Sequence, residues 1–240
     1  MALDETLLER AERGAAPALR LYSFDPPAIT IGAHQDVSRA LDLDAVTGGR
    51  ALLHAGELTY CVAAGLREGR FGGGSAASYR RISEALALAL RSLGVDASVS
   101  RGGEERERSG APRPCLSSVT RWELSAGGKK IAGSAQRTTA AAFLQHGSIL
   151  LRPGSERIAR YMSGACAPLE GRVTNVREEL GRDVEAGELG EAIAGAFRTV
   201  FGVVWEPLIL DAAEREGIER LARAKRAEFG AFLGGEVVSP

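Results

Sequence analysis

Residues 115 to 151 read CLSSVTRWELSAGGKKIAGSAQRTTAAAFLQHGSILL, and they place a thiol, a lysine pair and a histidine among glycine-punctuated β segments. The residues that follow Lys130, from Ala132 to Gln136, are too small to build a hydrophobic core. Small residues allow a ligand to approach the backbone closely. We therefore expect the ammonium of Lys130 to contact that ligand.

Hydrophobic periodicity predicts alternating strands and helices along the chain. The predicted strands are Leu19–Phe24, Ala28–Ile31, Ala51–Leu53, Leu58–Ala63, Arg121–Leu124, Ile131–Gln136, Phe143–Leu151 and Val203–Trp205. Ile82, Leu86, Leu90 and Leu93 recur at helical spacing after Ser75 or Ser78, either of which can cap a helix. Further helices are predicted at Ile158–Met162, around Ile193–Phe201 and in a charged segment through Leu221. The predicted fold is α/β, with a mixed β-sheet and packed helices.

Composition limits the class of protein. The 240 residues, 45% hydrophobic and 25% charged, predict one domain over 1–240 that includes the helical segment 185–240. With 30 Lys+Arg against 31 Asp+Glu there is no basic excess, so nucleic acid is not an expected partner. No run approaches the roughly 20 apolar residues of a membrane span, so no membrane partner is expected. Three cysteines without paired spacing favour a reducing, cytoplasmic location.

The three cysteines differ in their surroundings. Cys115 follows Pro114 at the end of a polar, Arg-rich loop, where substrate can reach a thiol. Cys166, which lies 20 positions after His146 (166 − 146), is a second candidate nucleophile. Cys61 lies within the apolar run LTYCVAA and is predicted to be a small buried hydrophobe. From residue type alone, Cys115 fits an ordinary loop thiol as well as a nucleophile.

Several motifs resemble the lipoate-protein ligase and octanoyltransferase family. They are TGGRALLHAGELTY at 47–60, KKIAGSAQ at 129–136 and LQHGSILL at 144–151. MALDETLLERAERG at the N-terminus, RLYSFDPPAITIGAHQD at 20–36 and RVTN at 172–175 are similar to the family in the same order. The resemblance covers most of residues 1–180 and implies the catalytic-domain fold of the biotin and lipoyl protein ligases.

The branches of this family differ in chemistry. Its ligases use ATP to form an acyl-adenylate, whereas its octanoyltransferases take an acyl group from acyl carrier protein through a cysteine thioester. Cys115 matches the position of the nucleophile in the LipM-type octanoyltransferases, in the loop before the KxxGSAQ element. Cys166 lies near the nucleophile position of the LipB type, which lacks GSAQ. The family's usual basic pair ahead of TGGR is replaced by Asp44 and Ala45, which removes countercharge for an adenylate phosphate.

The resemblance implies an octanoyl-acyl carrier protein:protein N-octanoyltransferase in lipoate biosynthesis. The donor is octanoyl-acyl carrier protein, and the acceptor is a lysine of a lipoyl domain or of a glycine cleavage H-like protein. The implied catalytic residues are Cys115 and Lys130. The implied substrate-binding residues are Gly48, Gly49, Arg50, His54, Gly133, Ser134, Ala135, His146 and Gly147. No metal or other cofactor is expected, since the thioester donor carries the energy of the reaction.

Other assignments stay open at this stage. His54 and His146 are both candidates for the general base that deprotonates the acceptor amine, although a structural role is equally compatible with each. We expect an apolar tunnel for the eight-carbon tail, lined by the segments 49–54 and 58–60. The alternative functions are an ATP-dependent lipoate-protein ligase and a catalytically impaired or amidotransferase-like relative.

Overall fold

The computed structural model of the chain describes residues 1–26, 28–30, 52–100, 122–154 and 171–232. Its helices are α1 (Ala2–Glu12), α2 (Ser75–Ser92), α3 (Val176–Leu180), α4 (Ala186–Phe201) and α5 (Ala212–Phe232). Its first strands are β1 (Ala18–Tyr22), β2 (Ala28–Thr30), β3 (Leu52–His54), β4 (Glu57–Gly65) and β5 (Ala97–Val99). The later strands are β6 (Leu124–Ala126), β7 (Lys129–Lys130), β8 (Ala132–Thr138) and β9 (Ala142–Leu150).

A four-stranded sheet in the order β1-β4-β9-β8 forms the centre of the fold. A two-stranded sheet, β2-β3, and a three-stranded sheet, β5-β6-β7, accompany it. The ladders in these sheets are antiparallel, and an isolated bridge between Lys130 and Val173 supplies a parallel contact. The predicted α/β class, with sheets and packed helices, is confirmed.

The two faces of the central sheet have different partners because successive side chains along a strand point to opposite sides. Leu58, Tyr60 and Val62 belong to the large core that the sheet forms with α2 and α4. Cys61 and Ala63 lie on the other face and pack against α1. The residues of β4 are thus buried on both sides, which explains its nearly continuous apolar sequence.

The helix predicted from Ile82, Leu86 and Leu90 is α2, and these three side chains are fully buried. The prediction that a serine caps it is wrong. Gly74 occupies the N-cap, and the Ser78 hydroxyl donates to the carbonyls of Gly74 and Ser75 instead of accepting from a backbone N–H.

One predicted strand boundary and one predicted strand are also wrong. Trp122 adopts a positive φ of 71°, so the extended conformation of β6 begins only at Leu124. No strand forms over 203–205 within the described residues, because the Trp205 side chain packs in an aromatic cluster with Phe71 and Phe197. Its indole Nε1 donates to the carbonyl of Ala194 at 3.2 Å.

A buried charged cluster that hydrophobic periodicity does not predict anchors α1 to the sheet. Asp4 is 1% exposed and accepts hydrogen bonds from Arg20 at 2.5 Å and from the Tyr22 hydroxyl at 3.0 Å. Burial is the main cause that raises the pKa of Tyr22, and the charge of Asp4 adds to it. The Asp4 carboxylate therefore holds α1 in place against β1.

The charged final helix, α5, extends to Phe232, well beyond the predicted limit at Leu221. Ion pairs connect it to α1, between Glu214 and Arg10 and between Lys225 and Glu5. Within the described ranges, none of the helices combines the length and apolar character that crossing a membrane requires.

Candidate functional site

Lys130 lies on β7 with 1% of its side chain exposed, and its Nζ donates to Glu123 Oε1 at 2.7 Å. Its backbone is held on a second side, because its N–H donates to the Arg172 carbonyl and its carbonyl accepts from Thr174 N, both at 2.9 Å. The neighbouring Lys129 is exposed. The two lysines therefore point in opposite directions, as strand geometry requires.

The residues on either side of positions 101–121 are hydrogen-bonded to each other. Ser100 N donates to the Glu123 carbonyl and Trp122 N donates to the Ser100 carbonyl, both at 2.8 Å. The guanidinium of Arg80 lies 5.8 Å from the centre of the Trp122 ring, within the range of a cation–π contact. The described residues therefore stop at Ser100 and resume at Trp122, both next to Glu123, whose carboxylate holds Lys130.

His54, at the end of β3, is buried between two hydrogen-bonding partners. Its Nδ1 lies 2.9 Å from Glu57 Oε1, and its Nε2 lies 2.8 Å from Thr30 Oγ1. Ser148 Oγ is 3.5 Å from the same Nδ1, and the ring of Phe24 lies over the imidazole at a centroid distance of 4.1 Å. The result is an imidazole with a carboxylate at one ring nitrogen and the Thr30 hydroxyl at the other.

A row of site residues crosses the sheet on the face that packs against α1. Gly133 is opposite Ser148, and Ala135 is opposite His146, which in turn is opposite Cys61. Burial lowers the pKa of His146, while the charge of Asp4 acts in the opposite direction. The structure thus brings together Gly133, Ala135 and His146, and it places His54 beside them through Ser148.

Ser134 and Gly147 lie on the opposite face, towards α2. The Tyr60 hydroxyl donates to Ser134 Oγ at 2.6 Å, and Gln145 Nε2 donates to the Tyr60 hydroxyl at 3.1 Å. Burial raises the pKa of Tyr60 to about 12, although the bonds to Ser134 and Gln145 lower it. Gln136 extends this network from Gln145 to α2. The serine of GSAQ thus belongs to a buried network, and its hydroxyl does not share a face with Ala135.

The predicted acyl tunnel needs a correction along 58–60. Leu58 and Tyr60 pack in the core with α2 and α4, because their parity on β4 turns them away from His54. Thr59 shares the face of Ser148, and their hydroxyls are 3.1 Å apart. Of this segment, Thr59 is therefore the residue that borders the site.

Three polar partners in the site are not among the residues predicted from the sequence. Glu57 and Thr30 flank His54, and Glu123 holds Lys130. A sequence signal existed for Glu57, which is three residues after His54 in the motif that ends ELTY. Nothing in the sequence distinguishes Glu123 from a solvent-facing strand residue. RVTN also has a structural role, since the Asn175 side chain caps α3 by accepting from Glu178 N at 3.1 Å.

Several predicted positions lie outside the described residues. They are Cys115, the alternative Cys166, the substrate-binding Gly48, Gly49 and Arg50, and the Asp44-Ala45 pair. Cys61 is fully buried as predicted, and burial raises the pKa of its thiol. Within the described ranges, no group of three or more His, Cys, Asp or Glu residues is arranged to hold a metal ion.

Comparison with known proteins identifies the family of this chain. Residues 1–198 match the model of the lipoyl protein ligase A/B catalytic domain. Octanoyltransferase LipM of Symbiobacterium thermophilum is 36% identical over 94% of this chain and 90% of its own length. Octanoyltransferase LipM of Bacillus subtilis is 31% identical over 95% of this chain and 90% of its own length.

Solved structures support the same fold. Lipoate-protein ligase A bound with ATP superimposes with a TM-score of 0.76 at 24% identity, covering 98% of this chain and 93% of that one. A bi-partite lipoate protein ligase from Thermoplasma acidophilum gives a TM-score of 0.72 at 22% identity, covering 99% and 92%. At these identities the likeness concerns the fold alone. From the family match and the sequence relatives together, the chain belongs to the lipoyl protein ligase A/B catalytic domain family and is a relative of the LipM octanoyltransferases.

Proposed function

We propose that this protein is a cysteine-dependent octanoyltransferase. It takes an octanoyl group from octanoyl-acyl carrier protein, holds it as a thioester on Cys115, and transfers it to a lysine of a lipoyl domain or of a glycine cleavage H-like protein. The observation that best supports this activity is the buried Lys130 ammonium, which is held by Glu123 next to the point where the cysteine-bearing segment rejoins the described structure.

The first half-reaction forms the acyl-enzyme. The Cys115 thiolate attacks the thioester carbonyl of the donor, a new carbon–sulfur bond forms, and the bond to the carrier sulfur breaks. The carrier leaves as a thiolate and takes a proton. A fixed cation favours a thiolate nucleophile and stabilises negative charge on the carbonyl oxygen. Lys130 supplies that cation, which the ion pair to Glu123 holds in place.

The second half-reaction transfers the acyl group to nitrogen. The acceptor amine attacks the acyl-enzyme carbonyl, a carbon–nitrogen bond forms, and Cys115 leaves as a thiolate. The substrate groups bind along the face that carries Gly133, Ala135 and His146, together with Gly48, Gly49 and Arg50 of TGGR. Small residues at 133 and 135 let the acyl chain approach the strand backbone.

Ser134 and Gly147 support this surface from the other side of the sheet. Their network with Tyr60 and Gln145 fixes β8 against β9, and this holds the backbone of Gly133 and Ala135 in place. We therefore propose positioning roles for Ser134 and Gly147 rather than direct contact with substrate.

The ATP-dependent ligase is the second candidate function, because the family whose model matches residues 1–198 is that of the lipoyl protein ligase A/B catalytic domain. Two features of the sequence weigh against it. Asp44 and Ala45 stand where an adenylate needs positive charge, and a thiol occupies position 115 where adenylation needs none. A thioester donor already stores the energy that a ligase obtains from ATP.

Intact-protein mass spectrometry with two serine variants tests the nucleophile. After incubation with octanoyl-acyl carrier protein, the wild type and Cys166→Ser gain one octanoyl mass that hydroxylamine removes. Cys115→Ser gains none, and its circular dichroism and thermal unfolding match the wild type. If Cys115→Ser gains the mass while Cys166→Ser does not, Cys166 is the nucleophile and the assignment to Cys115 is wrong.

A further inference from the structure

We propose that Thr30, His54 and Glu57 form a hydrogen-bonded relay that removes the proton from the acceptor lysine in the second half-reaction. This inference rests on the proposed octanoyltransferase function, and it adds Thr30 and Glu57 to the reacting machinery. Thr30 is the group that contacts the amine, and Glu57 is a positioning residue that acts through His54.

The hydrogen-bond chemistry fixes the direction of the relay. An ionised carboxylate only accepts hydrogen bonds, so the 2.9 Å contact to Glu57 Oε1 places the proton of a neutral His54 on Nδ1. Nε2 is then an acceptor, and the Thr30 hydroxyl at 2.8 Å donates to it. With its own proton directed at His54, the Thr30 oxygen can accept a proton from a substrate amine.

The burial of Glu57 favours a functional role over a purely structural one. The residue is 3% exposed, yet its Oε2 has no hydrogen-bond partner among the described residues. Buried carboxylate oxygens are normally satisfied, because leaving one unpaired is costly. Such a carboxylate stabilises positive charge on the imidazole, and that charge appears when His54 takes a proton. Glu57 also lines a cavity of about 170 Å³ with Ser23, Phe24 and Arg152.

The relay lies at the site. Thr30 ends β2 directly before the motif segment 31–36, and His54 ends β3 four residues after Arg50 (54 − 50). Ser148 connects His54 to the row that contains Gly133. His146 is the competing base, but no side-chain hydrogen bond orients its imidazole among the described residues. An oriented base is the usual requirement for general-base catalysis.

The proton balance of the step is complete. As the amine nitrogen bonds to the acyl carbon, one of its N–H protons passes to Thr30 Oγ1, and the hydroxyl proton passes to His54 Nε2. The carbon–sulfur bond breaks, and Cys115 leaves with the electron pair. The imidazolium next to Glu57 then releases its proton to solvent.

Measuring the two half-reactions separately distinguishes a proton relay from a purely structural role of Thr30 and Glu57. Acyl-enzyme formation and single-turnover transfer to a lipoyl-domain acceptor are measured separately by intact mass for the wild type, Thr30→Val, Thr30→Ser and Glu57→Gln. Thr139→Val is the matched control, because Thr139 is half-buried like Thr30 and its hydroxyl donates to the Ala142 carbonyl in the turn between β8 and β9, outside the relay. Thermal unfolding of each variant checks that it is folded.

Thr30→Val and Glu57→Gln are expected to slow transfer about 100-fold, the scale of a lost general base, while acyl-enzyme formation stays within about 2-fold of wild type. Thr30→Ser restores transfer and Thr139→Val leaves it unchanged. Equal slowing of both half-reactions, or full transfer by Thr30→Val, overturns the relay while octanoyl transfer itself stands. Failure of the wild type to form any acyl-enzyme overturns the proposed function, and the relay with it.

Discussion

The Tyr60 hydroxyl donates a 2.6 Å hydrogen bond to Ser134 Oγ across the backbone of Gly147. Tyr60, Gly147 and Ser134 are direct cross-strand neighbours on β4, β9 and β8. A Cβ at position 147 would lie 2.4 Å from the Gly133 carbonyl and 2.8 Å from the Tyr60 ring. The glycine of LQHGSILL is therefore required by packing, because Tyr60 passes over it to reach the GSAQ strand.

Gly147→Ala is expected to destabilise the fold by about 1–3 kcal/mol, the usual cost of overpacking a rigid core. Chemical denaturation measures the free energy of unfolding. Gly195→Ala is the matched control, since a Cβ there meets no atom closer than 3.7 Å. This control should be neutral or stabilise α4 by about 0.5–1 kcal/mol. Equal destabilisation by both variants would contradict the packing explanation.

Tyr60→Phe is expected to cost about 1–3 kcal/mol, because it removes the hydroxyl partner of Ser134 and Gln145 in a buried site. The same denaturation experiment measures the loss. Tyr79→Phe provides a comparison, since the Tyr79 hydroxyl bonds to the Ser134 carbonyl at 3.2 Å from a less buried position. A smaller loss for Tyr60→Phe than for Tyr79→Phe would argue against the network.

Lys130→Ala should reduce octanoyl transfer by about 100-fold or more, the scale of a lost oxyanion-stabilising group. Lys129→Ala should stay within about 2-fold, because Lys129 is exposed on the opposite side of β7. Initial rates with octanoyl-acyl carrier protein and a lipoyl-domain acceptor measure both. If the two variants lose activity equally, the buried ammonium has no specific role.

The sequence predicted the strands and helices with strong periodicity, and the reason is visible in particular elements. Ile82, Leu86 and Leu90 repeat at helical spacing and are buried in α2. Predicted elements are wrong where tertiary contacts override the local hydrophobic pattern. The Val203–Trp205 run has strand-like residues, but Trp205 packs against Phe71 and no strand forms.

In the candidate site, too, local sequence predicts some features and tertiary contacts determine the others. The small residues that follow Lys130 predict a ligand contact for it, and this stays a prediction, while the structure shows its side chain buried. Its partner Glu123 and the partners of His54 could not be predicted, because strand parity and long-range pairing determine which polar residues meet. Ser134 and Ala135 are neighbours in the GSAQ motif, but successive strand residues point to opposite faces of the sheet, so their side chains do not meet.

Cys61 should resist alkylation in the folded protein, since it is fully buried and burial raises the pKa of its thiol. Iodoacetamide treatment at pH 8, followed by peptide mass spectrometry, should label Cys115 and leave Cys61 unmodified until denaturant is added. Labelling of Cys61 at the rate of a free thiol in native buffer would show that the α1 face of β4 is open.

The lowered pKa of His146 predicts an acid-dependent loss of stability. Burial lowers the pKa of the folded imidazole, so as the pH falls the unfolded chain binds a proton first, near the ordinary pKa of about 6.5. The contribution of His146 to the free energy of unfolding is therefore fully present above the unfolded pKa, and it is lost as the pH falls through the folded pKa. Denaturation from pH 7.5 to 5.0 should show a smaller decline for His146→Gln than for the wild type. An identical decline would exclude His146 as its source.

The central claim is that transfer proceeds from a carrier thioester without nucleotide. A paired assay on one lipoyl-domain acceptor tests it most directly, with intact mass as the readout. One arm contains octanoyl-acyl carrier protein without ATP, and the other contains free octanoate with ATP and magnesium. We predict octanoylated acceptor in the first arm and little or none in the second. Modification in the second arm alone would contradict the account and assign the protein to the ligases.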